Sequence, residues 1–186
     1  MSKCKIEMRV IAGTYRHRLL AWPNDNSIRP TKERIREAIF SALGDISNLS
    51  FLDLYAGSGA MGIEAISRGT AISYFVDISK EALRTIKANV KSLNIPVNQY
   101  QIFEDYDENV LDIFIKDKKQ VDIVFLDPPY KQGRYEEIIN KIVDNNLLAL
   151  NGVIVCESDK EIDVEIECKK TKLYKYGEIF VKIFWR

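Results

Sequence analysis

The chain has little of what staples, metal sites and membrane spans require. Its three cysteines, Cys4, Cys156 and Cys168, are odd in number, widely spaced and without a Cys-x-x-Cys pair, which excludes a disulfide framework and a thiolate zinc site. His17 is the only histidine. With no ligand cluster around it, no metal is expected, and His17 is assigned to a turn or a nucleic-acid contact in preference to catalysis. No apolar run approaches the length of a membrane span, and the start MSKCKIEMR has no hydrophobic segment behind its charges as a signal peptide would. These absences point to free thiols in a reducing, cytosolic compartment, two of them buried. The core must then hold the fold without staples, and 186 residues suffice for one domain with a small appendage.

Net charge is also lacking: 27 basic and 27 acidic residues sum to zero. The zero hides a polarity. Residues 1–40 carry nine Lys or Arg against four acids, and residues 41–186 carry 18 against 23. A basic front end on a mildly acidic body suits a polyanionic partner docking at one end, although an ordinary solvated surface has the same arithmetic.

Hydrophobic periodicity then lays out the elements. Two short strands are expected between Ile6 and Leu20 around AGTYRHR, followed by the loop AWPNDNSIRPT. Thr31 can cap a helix through KERIREAIFSAL that Gly44 closes. From Ser50 short apolar runs alternate with amphipathic ones. SFLDLY, AISYFVD, VNQYQIF, QVDIVFLD and GVIVCES are expected strands. GAMGIEAISRG, SKEALRTIKANVKSLN, DENVLDIFIK and YEEIINKIVDNNLL are the helices between them. Such alternation predicts a parallel sheet covered on both faces. VEIECKKTKLYKY and EIFVKIFW, separated only by a glycine-centred turn, are expected as antiparallel strands added at one edge.

Gly57, Gly59 and Gly62 form G-x-G-x-x-G between an expected strand and helix, and Asp77 follows Gly57 by 20 residues at the end of the next strand. The spacing fits a nucleoside cofactor whose ribose hydroxyls Asp77 accepts. It also permits a dinucleotide. Against a pyrophosphate stands Asp53, a carboxylate inside the end of the first of these strands, which suits a ligand with a cationic part such as S-adenosylmethionine. Asp105, after the third strand, either contacts that cofactor near its adenine or caps the following helix.

FLDPPY ends a strand in a carboxylate and two prolines. The prolines remove backbone donors and hold the chain out of helical geometry. An Asp-Pro turn with a capping aromatic would look the same. At the rim of an open parallel sheet, however, Asp127 and the Pro128 carbonyl can accept both N–H bonds of a planar amine, while Pro129 stiffens the edge and Tyr130 stacks on the base.

RVIAGTYRHRLL, RPTKERIREAIFSAL, DLYAGSGAMGIEAISRG, FVDISKEAL, FLDPPY and VIVCES stand in an order that resembles the bacterial 16S rRNA guanine-N2 methyltransferases of the RsmD family over almost the whole chain. The resemblance implies a Rossmann-like, S-adenosylmethionine-dependent α/β fold. It implies a mostly parallel seven-stranded sheet, an antiparallel C-terminal edge and a small N-terminal hairpin extension. Residues 1–44 would be the RNA-facing extension and 45–186 the catalytic domain. By position, the cofactor site falls on Asp53, Ala56, Gly57, Ser58, Gly59, Asp77, Ile78 and Asp105, and the catalytic motif on Asp127, Pro128, Pro129 and Tyr130. The rRNA-facing basic surface falls on Arg16, Arg18, Arg29, Thr31, Arg34 and Arg36. The implied partner is 16S rRNA in a partly assembled small subunit, met by a cytoplasmic monomer with no membrane role. One departure stands out: where the family commonly has Arg-Gly-Arg-Lys, this chain reads Arg16-His17-Arg18-Leu19. Competing expectations are an amino-methyltransferase acting on adenine N6 or protein glutamine, and a non-catalytic ribosome assembly factor.

Overall fold

The structure is a computed structural model that describes residues 8–23, 33–129 and 134–186. Arg29, Thr31 and Tyr130 lie outside the described residues. The chain opens with a minimal hairpin, β1 (Met8–Arg9) and β2 (Leu19–Leu20), followed by α1 (Glu33–Leu43). An alternating series follows: β3 (Ser50–Asp53), α2 (Ala60–Ser67), β4 (Ile72–Asp77), α3 (Lys80–Ser92), β5 (Tyr100–Glu104), α4 (Asp107–Lys116), β6 (Val121–Leu126), α5 (Tyr135–Asp144) and β7 (Leu148–Ser158). Two further strands, β8 (Lys170–Tyr176) and β9 (Ile179–Trp185), complete it.

Seven strands form one sheet in the order β5-β4-β3-β6-β7-β9-β8. The first five are parallel, and β9 and β8 join antiparallel, as the alternation and the terminal hairpin pattern predict. The chain winds outward from β3 through β4 to β5, then returns to β6 on the other side of β3. The strand order therefore reverses between β3 and β6, and the crevice of an open α/β sheet lies there, beyond the strands' C-terminal ends.

One face of the sheet packs on α4 and α5 through Val110, Leu111, Phe114, Ile138, Ile139 and Ile142. The other face packs on α1 and the flank of α2 through Ile35, Ile39, Phe40, Met61 and Ala65. A third cluster joins α2 and α3 to Met8, Val10 and Leu20, so the N-terminal hairpin shares its apolar residues with the helices beneath.

Three boundaries differ from the periodicity. A 3-10 turn, Val97–Gln99, precedes β5 where the strand was expected to begin, because Pro96 starts a turn closed by the Gln99 amide on its carbonyl. The last helix stops at Asp144, and Leu147 and Leu148, the second opening β7, enter the core instead of extending the helix. Residues 159–169 form no strand, although VEIEC alternates correctly. Lys182 Nζ donates to the carbonyls of Ile162 and Val164 at 2.9 and 2.8 Å, so a side chain holds groups that a ladder would need. Cys156 is buried, while Cys168 is only partly so.

Candidate active site

Asp53, Asp77 and Asp127 come together because β4, β3 and β6 are neighbours in register: Asp53 lies opposite Phe75 and Phe125, two residues short of Asp77 and Asp127. Asp53 is 1 % exposed, and neither carboxylate oxygen has a hydrogen-bond partner among the described residues. Burial, reinforced by the charge of Asp77, pushes its carboxyl up to about 8, while the nearby Gly62 and Tyr55 amides pull weakly the other way. An orphaned carboxyl at a switch point is an expensive arrangement that a cationic ligand group would relieve.

The glycine loop above it is closed by its own backbone. The amide of Ala56 donates to Val76, and that of Gly59 to Ala56. Gly59 sits at φ 79, a left-handed backbone suited to glycine, and starts α2. At Gly62 a Cβ would lie 2.3 Å from the Phe75 ring of β4, so the third glycine is what lets helix and strand approach. Asp77 was expected to receive ribose hydroxyls. Both its oxygens already accept from backbone amides, Oδ2 from Gly57 of the glycine loop and Oδ1 from Ser79 at the start of α3, each at 2.8 Å, leaving further lone pairs on each oxygen. Burial raises its carboxyl despite these amides. Ile78 beside it is 58 % exposed, an apolar surface at the strand end. Asp105 accepts from the Tyr106 amide at 2.8 Å and the Asn109 side chain at 2.6 Å, local bonds at the start of α4, without being the N-cap foreseen as its second role. Its neighbour Tyr106 is the N-cap residue and makes no side-chain cap bond.

Asp127 is half-buried, Pro128 buried and Pro129 exposed directly beyond β6. On the far side of the motif, Arg134 pairs with Glu108 of α4 and with Glu137 at 3.0 Å. Tyr55 donates to Asp107 at 2.9 Å, and burial together with that carboxylate holds its phenol well above the ordinary range.

The basic surface expected of the N-terminal region is only partly one. Arg16, Arg18 and Arg34 are exposed, and Arg18 donates to the Ser92 carbonyl in the last turn of α3. Arg36 must be corrected: it is 0 % exposed and presents nothing to RNA. It donates to the Arg9 carbonyl and faces Glu64 of α2 at 3.8 Å, because its turn of α1 packs inward beside Ile35 and Ile39. Burial lowers its pKa, with Glu64 opposing. His17, where the family commonly has glycine, adopts φ 67, the left-handed conformation that glycine takes at least cost.

Two residues that the sequence reading passed over hold this end together. Glu64 accepts from the Ile11 and Ala12 amides at 2.8 and 3.0 Å and from Arg68 at 2.8 Å. Asn89 accepts from the Ala21 amide at 2.7 Å and donates to the carbonyls of Ala21 and Ser58 at 3.1 and 3.0 Å, linking the chain after β2 directly to the glycine loop. The Ser58 hydroxyl is engaged in a buried contact with Met8. A signal existed for both: each is a polar residue on an otherwise apolar helical stripe.

The family model described as conserved hypothetical protein 95 matches residues 8–185. Ribosomal RNA small subunit methyltransferase D of Buchnera aphidicola is 38 % identical over 168 residues, 89 % of this chain and 85 % of that protein. The solved structure of yhhF from Escherichia coli superimposes with a TM-score of 0.80 at 28 % identity, covering 97 % of this chain and 98 % of that one. SMU.776, solved complexed with SAH, has a TM-score of 0.69 at 13 % identity, a likeness of fold alone.

Proposed function

We propose, from the premise that this chain belongs to the conserved hypothetical protein 95 (RsmD) family of rRNA methyltransferases, that its target is the exocyclic N2 of a guanine in 16S rRNA. The chain is an S-adenosylmethionine-dependent rRNA methyltransferase. The observation that supports the finer reading is the convergence of Asp77, Asp53 and Asp127 at the C-terminal ends of β4, β3 and β6, where a cofactor crevice would adjoin the Asp-Pro-Pro segment.

S-adenosylmethionine supplies an electrophilic methyl group. The residues present suit it: the orphaned Asp53 carboxyl answers a cationic group, Asp77 retains lone pairs for ribose hydroxyls, Gly57 and Gly59 add no side chains of their own to the loop, and Ile78 offers an apolar face to adenine. A guanine amine is a poor nucleophile because its lone pair is delocalised into the ring. Asp127 and the Pro128 carbonyl accept its two N–H bonds, favour lone-pair development on nitrogen and fix the line of attack. Pro129 keeps that edge outside the ladder, and Tyr130 stacks on the base. Arg16, Arg18, Arg29, Thr31 and Arg34 serve phosphate contact. The enzyme works in the cytoplasm as a monomer on a partly assembled small subunit.

Mass spectrometry of RNA after reaction with a preassembled small-subunit particle, stripped 16S rRNA and a DNA duplex tests this reading. One N2-methylguanine, most abundant in the particle, is expected. Methylation at adenine N6, or of the duplex as efficiently as of the particle, overturns the substrate.

A further inference from the structure

The edge strand β8 and its partner β9 belong to no part of the site described so far, yet they hold the second basic concentration in the chain. Residues 169–186 carry six Lys or Arg and one acid, Glu178. The preceding residues 159–168 carry five acids and one lysine. The acidic segment lies on one face of the sheet, where Lys182 holds its Ile162 and Val164 carbonyls, and the other face of β8 carries no acid. Ile162, Val164 and Ile166 of the acidic segment pack on the α4–α5 face. Lys170, Lys172, Tyr174 and Tyr176 stand opposite Trp185, Ile183, Val181 and Ile179, the residues of β9 that line the α1 face. Directly opposed residues of an antiparallel pair share a face, so this side of β8 is basic and aromatic throughout.

Its position follows from register. β8 runs in the same direction as β6, and Leu126, Cys156, Lys182 and Leu173 form one row across β6, β7, β9 and β8. Tyr174, one residue further, is therefore level with Asp127, three strand spacings or about 14 Å away. The rings of Tyr174 and Tyr176 are nearly parallel, 13° apart with centroids 6.3 Å apart, and both are partly exposed. Lys172 Nζ lies 6.0 Å from the Tyr174 ring centroid.

We infer that the α1-side face of β8 is a second RNA-contact surface, on which Lys170 and Lys172 meet phosphates and Tyr174 and Tyr176 stack on unpaired bases flanking the target. Lysines on an edge strand also discourage pairing with other chains. That role needs only charge, and explains neither the aromatic pair at the catalytic edge nor the exclusion of acids from this face. A second copy is disfavoured as the occupant, because hairpins with an excess of five positive charges repel one another. A single RNA strand fits both features, since cationic tracks and aromatic platforms together bind it without sequence preference.

This surface rests on the reading of the chain as an rRNA methyltransferase, and the experiment separates the two. Binding of labelled 16S rRNA and methyl transfer to the particle are measured for the wild type, K170E/K172E, Y174A/Y176A and the conservative Y174F/Y176F, with thermal melts and S-adenosylhomocysteine calorimetry for each. The lysine and alanine variants should raise KM for RNA by about tenfold with kcat and cofactor affinity unchanged, and Y174F/Y176F should retain wild-type KM. The lysine variant should also lower the slope of log K against log salt by at least about 1.4, near 0.7 for each phosphate no longer neutralised. If the wild type methylates rRNA and the folded variants keep its KM and salt slope, this inference falls alone. If a variant instead changes only the oligomeric state, β8 is a self-association edge and the inference falls. If the wild type neither binds nor methylates rRNA, both readings fall.

Discussion

At the scale of single residues, the carboxyl of Asp53 links stability, pH and ligand. With its pKa raised to about 8 in the fold and near 3.9 in the unfolded chain, the folded state holds a proton that the unfolded state has lost throughout that interval. Stability of the ligand-free protein should therefore fall as pH rises from about 4 to 8, by at most ~1.4 kcal/mol per pH unit from this group. Asp53→Asn should flatten that dependence in thermal melts. A cation bound beside Asp53 favours its charged form, so S-adenosylmethionine binding near pH 7 should release a proton, read by calorimetry in buffers of different ionisation enthalpy, and D53N should abolish the release. Asn89 acts on the same site from behind. Asn89→Ala leaves the Ala21 and Ser58 backbone groups unpartnered and should destabilise the fold by about 1–3 kcal/mol in urea titrations. It should also raise KM for the cofactor more than it lowers kcat. Asp127 should behave in the opposite way. D127A should keep S-adenosylhomocysteine affinity near wild type while single-turnover methyl transfer falls about a hundredfold, and a fall below about threefold would refute its role.

Among elements, the approach of α2 to β4 decides whether the glycine loop can close. Gly62→Ala places a methyl group against the Phe75 ring, and neither neighbour can yield without moving the helix whose first turn carries the loop. The substitution should cost about 1–3 kcal/mol by overpacking and weaken cofactor binding in parallel. Adding Phe75→Leu in the same chain should recover part of both losses. Recovery of neither in calorimetry and melts would mean that Gly62 is needed for something other than space.

Across the whole molecule, the N-terminal region is joined to the sheet by buried polar links as well as by apolar contact. Glu64 holds Ile11 and Ala12, Asn89 holds Ala21, and Arg36 of α1 faces Glu64 of α2 at 3.8 Å. Removing residues 1–44 would strip these groups of their partners and uncover the α1 face of the sheet. Deletion should yield a chain with no cooperative melt, whereas the intact protein should unfold in one transition by circular dichroism and by tryptophan fluorescence. A truncated chain melting at the wild-type temperature would show that the links are incidental.

The sequence by itself determined the elements, their alternation and the strand-end carboxylates, since periodicity and turn chemistry are local and survive in one dimension. The spacing from Gly57 to Asp77 and the proline pair after Asp127 needed no coordinates to be noticed. Burial and partnership were decided only by tertiary structure, because both depend on what other segments bring. An arginine on a basic helix reads as solvated until packing turns Arg36 inward against Glu64. VEIEC reads as a strand until Lys182 takes the carbonyls of Ile162 and Val164. Asp77 reads as a ribose acceptor until the fold shows it also fastening the Gly57 amide. The level of Tyr174 with Asp127 is a matter of strand register, which pairing between distant segments sets and no local pattern encodes.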